Sequence, residues 1–276
     1  MRPKHYTYYI LTTLIASLGL TTAFAATETP VSEEVPAAEL KQLTDPSILT
    51  RRLWLETEWN KFEDGSHVVE ETLGAFWSWR IGANQDWAVR LKLPVKGRFG
   101  GDLPDMGSIG DIKIATGTAV RVSNNFRIGG ALDLQFPTAR RELSDNAWRL
   151  QEFLVLAWDL TPWLTFSPSW EYNQSLAEEH GAAAIHFLES FFPFTFILPA
   201  KWAVAVGYEH KVDFEADSEW THRAKVLITK ELDNVPLSFA LSAKRDFNGP
   251  KDFQVNFVMT WFFRPKTLPP PAPSSQ

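Results

Sequence analysis

The stretch WAVRLKLPVK, Trp87 to Lys96, alternates between two kinds of side chain. Its odd-numbered positions are all apolar, whereas its even-numbered positions include Arg90, Lys92 and Lys96. Because successive side chains of a β-strand point to opposite faces, one face of this segment is apolar and the other is basic. The pattern predicts a strand that separates an apolar environment from a polar one.

The same alternation recurs along most of the chain. We count about twelve such segments, mostly of about 10 to 16 residues. They span residues 51–62, 67–82, 86–98, 108–123, 125–137, 147–160, 163–175, 184–198, 200–213, 219–232, 235–246 and 251–263. Strands of soluble proteins average about five or six residues, whereas tilted strands that cross a bilayer need about nine to eleven. The lengths therefore predict an all-β fold, an antiparallel transmembrane β-barrel of about 12 strands over residues 51–263.

The connections between these segments alternate in length. Turns such as 83–85 and 123–124 are short, whereas 97–107 and 138–146 are long and polar. Transmembrane barrels have short periplasmic turns and longer external loops. An even number of strands then places both chain ends on the periplasmic side. Tryptophans near both ends of the segments predict two interfacial girdles.

The two ends of the chain predict processing and exposure to the periplasm. A basic start, an apolar stretch and an Ala-Phe-Ala sequence ending at Ala25 predict a signal peptide over residues 1–25, cleaved near Ala25. Residues 26–50 are acidic and lack a strand pattern, which predicts a flexible periplasmic leader. Residues 264–276 form a Pro-rich periplasmic tail. Together with the barrel, these features predict the outer membrane of a Gram-negative bacterium.

Composition argues against several classes of function. The 27 Lys and Arg are outnumbered by 33 Asp and Glu, which argues against a nucleic-acid partner. The chain has no cysteine, so thiolate metal sites and cysteine nucleophiles are excluded. None of the six histidines has a serine two residues later, as the His-x-Ser pair of barrel lipases would require. We therefore predict no enzyme, no catalytic residues, no cofactor and no metal site.

Two further groups of side chains are candidates for chemical sites. His210 and His222 fall on consecutive segments, but each shares a face with apolar residues, which favours interface histidines over metal ligands. Glu56 and Glu58 lie on one strand face and resemble an acid–base pair, although a solvated lumen wall is the more common origin of such a pattern.

The lumen carries charges of both signs. The candidates for lining it and setting its selectivity are Glu56, Glu58, Arg80, Arg90, Lys92, Lys96, Asp111, Lys113, Arg121, Arg127, Asp133, Arg223 and Lys225. The third to fifth segments are mainly basic, and acids on the first two segments are expected to face them. Such walls make either a polar channel with a transverse field or a closed interior held by salt bridges. Charge composition leaves both interpretations open.

Two short motifs carry a family resemblance. One is Ser108-Ile-Gly110-Asp111, preceded by Gly107, and the other is Pro137-Thr138-Ala139. They resemble the G-x-G-D and P-T-G motifs of the outer-membrane family named for the meta-pathway of phenol degradation, although the last glycine is missing. The resemblance implies a channel or transporter for small, often aromatic or hydrophobic compounds. The glycines and the aspartate end a loop and begin a strand, so a purely structural role explains them equally well.

These observations predict an outer-membrane channel or transporter for small molecules. A non-conducting scaffold or anchor that uses its tails is the alternative, and a barrel enzyme acting on lipid is a third. The expected partners are the lipid bilayer, a small-molecule permeant, periplasmic partners of the tails, and the outer-membrane insertion machinery. The last strand supports insertion because it ends in Phe263 after alternating apolar residues, which resembles the terminal-strand signal of outer-membrane proteins.

Overall fold

The computed structural model describes residues 45–101, 105–248 and 251–263, with the backbone alone at positions 251 and 252. The predicted signal peptide, residues 26–44 of the predicted leader, and the predicted tail at 264–276 lie outside the described residues. In the described part, no helix has the length and apolar character needed to cross a membrane.

The described chain is built from β-strands. They are β1 (Arg52–Phe62), β2 (His67–Arg80), β3 (Gln85–Phe99), β4 (Met106–Ile109), β5 (Lys113–Arg121), β6 (Phe126–Gln135), β7 (Ala147–Thr161), β8 (Leu164–Phe166), β9 (Ser169–Glu178), β10 (His186–Leu198), β11 (Trp202–Asp213), β12 (Glu219–Glu231), β13 (Leu237–Asp246) and β14 (Lys251–Phe262).

Two barrel strands are each made of two pieces. β4 and β5 both pair with β3, and they are separated by Gly110, Asp111 and Ile112. β8 and β9 both lie between β7 and β10, with a break at Ser167 and Pro168. Proline has no N–H to donate to a neighbouring strand, which interrupts regular pairing. When each broken pair is counted once, the described residues form twelve strands.

The twelve strands close into an antiparallel barrel. Each strand pairs with its neighbours in sequence, and β1 completes the circle by pairing with β14 from Arg52 opposite Phe262 onward. The predicted fold is therefore confirmed. The largest deviation from the predicted spans is β9, which runs to Glu178, because Leu176, Ala177 and Glu178 lack the alternation that would reveal a strand.

Connections of two lengths define the two ends of the barrel. The turn end carries the short connections, such as 81–84 and 122–125, together with the start of β1 and the end of β14. The loop end carries the longer connections, including 136–146 and 179–185. Short turns and long loops at opposite ends are typical of transmembrane barrels.

The outer face of the barrel is apolar. Val89, Leu91 and Leu93 of β3 point outward and are 42%, 37% and 40% exposed. Outward tryptophans lie at both ends of the wall, with Trp158 near the turn end and Trp220 near the loop end. A long band of exposed aliphatic side chains between two rows of tryptophan matches the surface that lipid covers.

Candidate functional site in the barrel lumen

The inner face of the barrel is polar. Inward side chains that are nearly inaccessible include Thr72, Asp133, Gln135, Asn173 and Glu209, each at most 4% exposed. A polar interior inside an apolar exterior is the reverse of a soluble domain, in which the core is apolar. The candidate functional site therefore lies in the lumen.

One wall, formed by β10 to β13, carries a dense ionic network. The Arg223 guanidinium lies 3.0 Å from Glu189, 2.9 Å from Glu209 and 2.8 Å from Asp246. The Lys244 ammonium is 3.1 Å from the other oxygen of Glu209. Buried charges are stable only when they are paired and hydrogen-bonded. Each of these three carboxylates contacts a cation of the same wall, although in the described structure one Asp246 oxygen has no hydrogen-bond partner. The interpretation of a closed, salt-bridged interior fits this half of the lumen.

The opposite half contains a cavity near the loop end, which we call the loop-side chamber. It measures about 220 Å³ and is lined by Glu56, Glu58, Glu70, Thr72, Lys92, Pro94, Lys96, Asp111, Lys113, Gln135, Asp145 and Arg149. The Lys92 ammonium is 3.7 Å from Glu56, and the Lys96 ammonium is 4.0 Å from Glu70. These separations exceed a charge-assisted hydrogen bond, so the pairs are loose.

The two family-like motifs meet at the edge of this chamber. The Thr138 hydroxyl donates to the Gly110 carbonyl at 2.8 Å and accepts the Ile112 N–H at 3.0 Å. The Asp111 carboxylate accepts the N–H of Ala139 at 3.0 Å and the Ser144 hydroxyl at 2.9 Å. The motif pair therefore fixes the 136–146 loop against the break between β4 and β5. This bonding supports a structural role for Asp111.

Asp145 lies in the same loop and points into the chamber wall. It is 3.2 Å from the Arg149 guanidinium and accepts a 2.8 Å hydrogen bond from the Gln135 amide. Burial raises the pKa of the Asp145 carboxyl, but Arg149, Gln135 and the nearby lysines outweigh it and hold the pKa below its ordinary value. Asp145 is therefore ionised at neutral pH and holds Arg149 at the chamber edge.

A second cavity lies nearer the turn end, and we call it the turn-side chamber. It measures about 170 Å³, and its lining includes Arg52, Phe76, Ala88, Arg90, Ala115, Ala131, Asp133, Gln151, Phe153 and Glu171. Because Phe76, Phe153 and three alanines contribute to it, the lining of this chamber is more apolar than that of the loop-side chamber. Arg90 donates a hydrogen bond to Asp133 within the turn-side chamber.

Trp54 points into the lumen between the residues that line the two chambers. Its indole covers Gly74, where an added Cβ would lie 2.0 Å from the ring. Glycine is therefore required opposite the indole, since a side chain would displace it. The Arg52 guanidinium lies 5.9 Å from the Trp54 ring and 5.1 Å from the Phe76 ring. This stack lies between the linings of the two chambers.

Residues 45–49, which we call the mouth segment, enter the barrel from the turn end. Asp45 and Ser47 are both 4% exposed, while Pro46, Ile48 and Leu49 line the turn-side chamber. The structure therefore differs from the predicted flexible leader at its last residues. For residues 26–44, flexibility stays a prediction.

The mouth segment is held by Arg127 on β6. The Arg127 guanidinium is 2.5 Å from Asp45 and 2.9 Å from Asp159, and its Nε donates to the Ser47 hydroxyl at 3.1 Å. A largely buried guanidinium needs this much compensation, because one carboxylate does not satisfy its five donors.

The structure places eleven of the thirteen predicted lumen residues in four groups. Glu56, Glu58, Lys92, Lys96, Asp111 and Lys113 line the loop-side chamber, Arg90 and Asp133 the turn-side chamber, Arg223 and Lys225 lie on the β10–β13 side, and Arg127 holds the mouth segment. Arg80 and Arg121 differ from the prediction. Each is the last residue of its strand, and both side chains are exposed at the turn end.

Sequence reasoning missed Trp54 and the mouth segment. Trp54 shares its strand face with Glu56, which was the available signal, but tryptophan is more often assigned to the membrane interface. Outside the lumen, His210 and His222 pair across two strands on the outer face, where Trp220 lies 5.2 Å and 6.2 Å from their rings. Among the described residues, no group of three or more metal-ligating side chains occurs.

No family model and no curated protein matches the chain. Solved structures do resemble it. The COG4313 outer membrane channel from Pseudomonas putida F1 is 14% identical with a TM-score of 0.68, and the match covers 86% of this chain and 100% of that one. The NanC porin is 11% identical with a TM-score of 0.54, covering 77% and 100%. The CymD monoaromatic hydrocarbon channel is 6% identical with a TM-score of 0.51, covering 82% and 93%. At these identities the likeness establishes the barrel fold.

Proposed function

We propose that this protein is a channel for small molecules in the outer membrane of a Gram-negative bacterium. The observation that carries the proposal is the pair of chambers inside a closed barrel whose outer face is apolar. Because one wall is locked by ion pairs, solutes are expected to move along the opposite wall, past Trp54 and then the mouth segment. The short turns would face the periplasm and the long loops the exterior.

The likeness to channels and porins supports this role, as does the motif resemblance. One structural neighbour is described as a monoaromatic hydrocarbon channel. In this protein, Phe76 and Phe153 supply aromatic surface to the turn-side chamber, whereas the loop-side chamber is strongly charged. We therefore propose small permeants whose apolar part is accommodated nearer the periplasm.

Conductance of the refolded barrel in a planar bilayer tests the channel proposal. We expect a small, steady single-channel conductance, since two chambers and a narrow mouth leave a restricted water path. Swelling of proteoliposomes in a small neutral solute such as glycerol is the independent measurement. If neither the intact chain nor a variant lacking the mouth segment conducts ions or admits glycerol, the channel proposal is wrong and a scaffold role takes its place.

A lipid-facing substitution tests the proposed membrane belt. Leu91→Arg is expected to lower the free energy of unfolding in vesicles by about 2–4 kcal/mol, because a cation near the bilayer midplane is poorly solvated. The measurement is a urea titration followed by tryptophan fluorescence. Val122→Arg is the matched control, since Val122 lies in a turn outside the strands, and it should cost at most about 1 kcal/mol. Equal stability of the two variants would contradict the assignment of this face to lipid.

A further inference from the structure

We propose that the lumen selects zwitterionic small molecules, those carrying an ammonium and a carboxylate on one compact body. The inference rests on the proposed channel function and goes beyond it by naming the class of permeant. Some charged side chains of the lumen have a partner of opposite sign, whereas others have none. The charges without such a partner indicate which charges a permeant would carry.

In the loop-side chamber, Lys113, Glu58 and Asp111 stand apart from the ion pairs, but Asp111 is held by hydrogen bonds from Ala139 and Ser144. Lys92 is near Glu56, Lys96 is near Glu70, and Arg149 is near Asp145. Within the described part of the chain, Lys113 has no carboxylate within 4.0 Å of its ammonium. Its direct cross-strand neighbour on β3 is Lys92, a like charge.

Glu58 is the matching anion. No ammonium or guanidinium of the described residues lies within 4.0 Å of its carboxylate, which accepts a 2.7 Å hydrogen bond from the Asn60 amide. Its cross-strand neighbour on β2 is Glu70, again a like charge. Lys113 and Glu58 line the same cavity without contacting each other. A ligand with both charges would provide each of them with a partner.

The turn-side chamber repeats the arrangement. Arg52 contacts the rings of Trp54 and Phe76, and no carboxylate of the described residues lies within 4.0 Å of its guanidinium. Glu171 lines the same cavity and accepts a 3.0 Å hydrogen bond from the Asn173 amide. Its cross-strand neighbour on β10 is Glu189, a carboxylate already paired with Arg223. Apart from Asp111, which the 136–146 loop holds through hydrogen bonds, each chamber thus offers one cation and one anion without a partner of opposite charge in the described structure.

A zwitterion fits this pattern better than a simple ion does. An organic anion would gain Lys113 but would meet Glu56, Glu58 and Glu70 in the same chamber. An organic cation would gain Glu58 but would meet Lys92 and Lys113. Selectivity in narrow pores depends on the sign and placement of lining charges, and here both signs are presented within one small volume. The Phe76 and Phe153 rings allow the zwitterion to carry an apolar side group.

Proteoliposome swelling with two isomers tests the inference. L-Alanine is a zwitterion, and lactamide has the same formula but no charge, so size is matched. We expect alanine to enter wild-type proteoliposomes several-fold faster than lactamide, after subtraction of the rate in protein-free liposomes. Lys113→Gln and Glu58→Gln should each reduce the ratio of the two rates, and the double variant should bring it close to one. Propionate and ethylamine, which carry one charge each, should both enter more slowly than alanine.

The control variant is Lys211→Gln, which removes a lumen cation paired with Asp213 at 3.1 Å and outside both chambers. It should leave the rate ratio unchanged. Equal entry of alanine and lactamide into wild-type proteoliposomes would overturn the inference while leaving the channel proposal intact. Faster entry of propionate than of alanine would replace the zwitterion with an organic anion. Entry of none of these solutes would instead reject the channel itself.

Discussion

We expect the single-channel conductance to rise several-fold when the five residues of the mouth segment, 45–49, are replaced with glycine and serine. Asp45 and Ser47 are almost inaccessible inside the turn end, and Ile48 and Leu49 form part of the wall of the turn-side chamber. Removing these side chains takes away the anchor on Arg127 and the apolar contacts. Gly- and Ser-rich segments behave as flexible coils, so the replacement would not hold one position in the lumen.

Asp45→Asn separates loss of the anchor from loss of the segment. It keeps the side-chain volume but removes one of the two carboxylates that contact the Arg127 guanidinium. We expect brief rises above the steady wild-type conductance, toward the level of the replaced segment, measured in planar bilayers. Asp233→Asn is the matched control, because Asp233 is an exposed carboxylate at the same end of the barrel, paired with Lys201 at 3.4 Å. If the replaced segment leaves conductance at the wild-type level, the mouth segment does not limit flow.

The mouth segment also shows where sequence reasoning fails. Its composition is typical of a disordered leader, and nothing local contradicts that interpretation. Its order comes from Arg127, which lies 82 residues later in the chain from Asp45. Composition and periodicity report on neighbours in sequence, whereas this contact depends on barrel closure. A buried arginine on an inward strand face indicates that carboxylates from elsewhere in the chain contact its guanidinium, but it does not show which carboxylates these are.

The fold itself could be predicted because alternation is a local property. On β3 every second residue faces lipid, so the positions of Val89, Leu91 and Leu93 follow from one short stretch of sequence. The strand breaks were not predicted in the same way. Gly110 lies where an added Cβ would be 2.8 Å from the Pro94 ring on the neighbouring strand, a close approach that depends on the pairing of two strands.

The inward charges were predicted as a set, but their division into paired and unpaired groups was not. Lys92 and Lys113 occupy equivalent inward positions on β3 and β5, and alternation treats them alike. The structure places Glu56 near Lys92, whereas Lys113 is left beside other cations. Pairing depends on strand register and side-chain reach around the barrel, and that difference separates a structural charge from a candidate binding charge.

Arg223→Ala is expected to produce the largest loss of stability among single substitutions in the lumen. Arg223 contacts Glu189, Glu209 and Asp246 at 2.8–3.0 Å, and its side chain is 12% exposed. Removing one partner of a buried ionic group leaves uncompensated charge, which costs about 3–5 kcal/mol. Urea unfolding in vesicles measures the loss, and a lower temperature for the heat-induced mobility shift on gels provides a second readout.

Two further variants separate the charge from its geometry. Arg223→Lys retains the charge but has no planar fork to serve three carboxylates, so it should restore only part of the stability. Combining Arg223→Ala with Glu189→Gln and Asp246→Asn removes most of the repulsion and should recover more of it, because neutral amides are less costly to bury than unpaired carboxylates. If Arg223→Ala is as stable as the wild type, water already solvates these carboxylates. The β10–β13 wall would then be as open to solvent as the chamber side, and solute passage would not be confined to one half of the lumen.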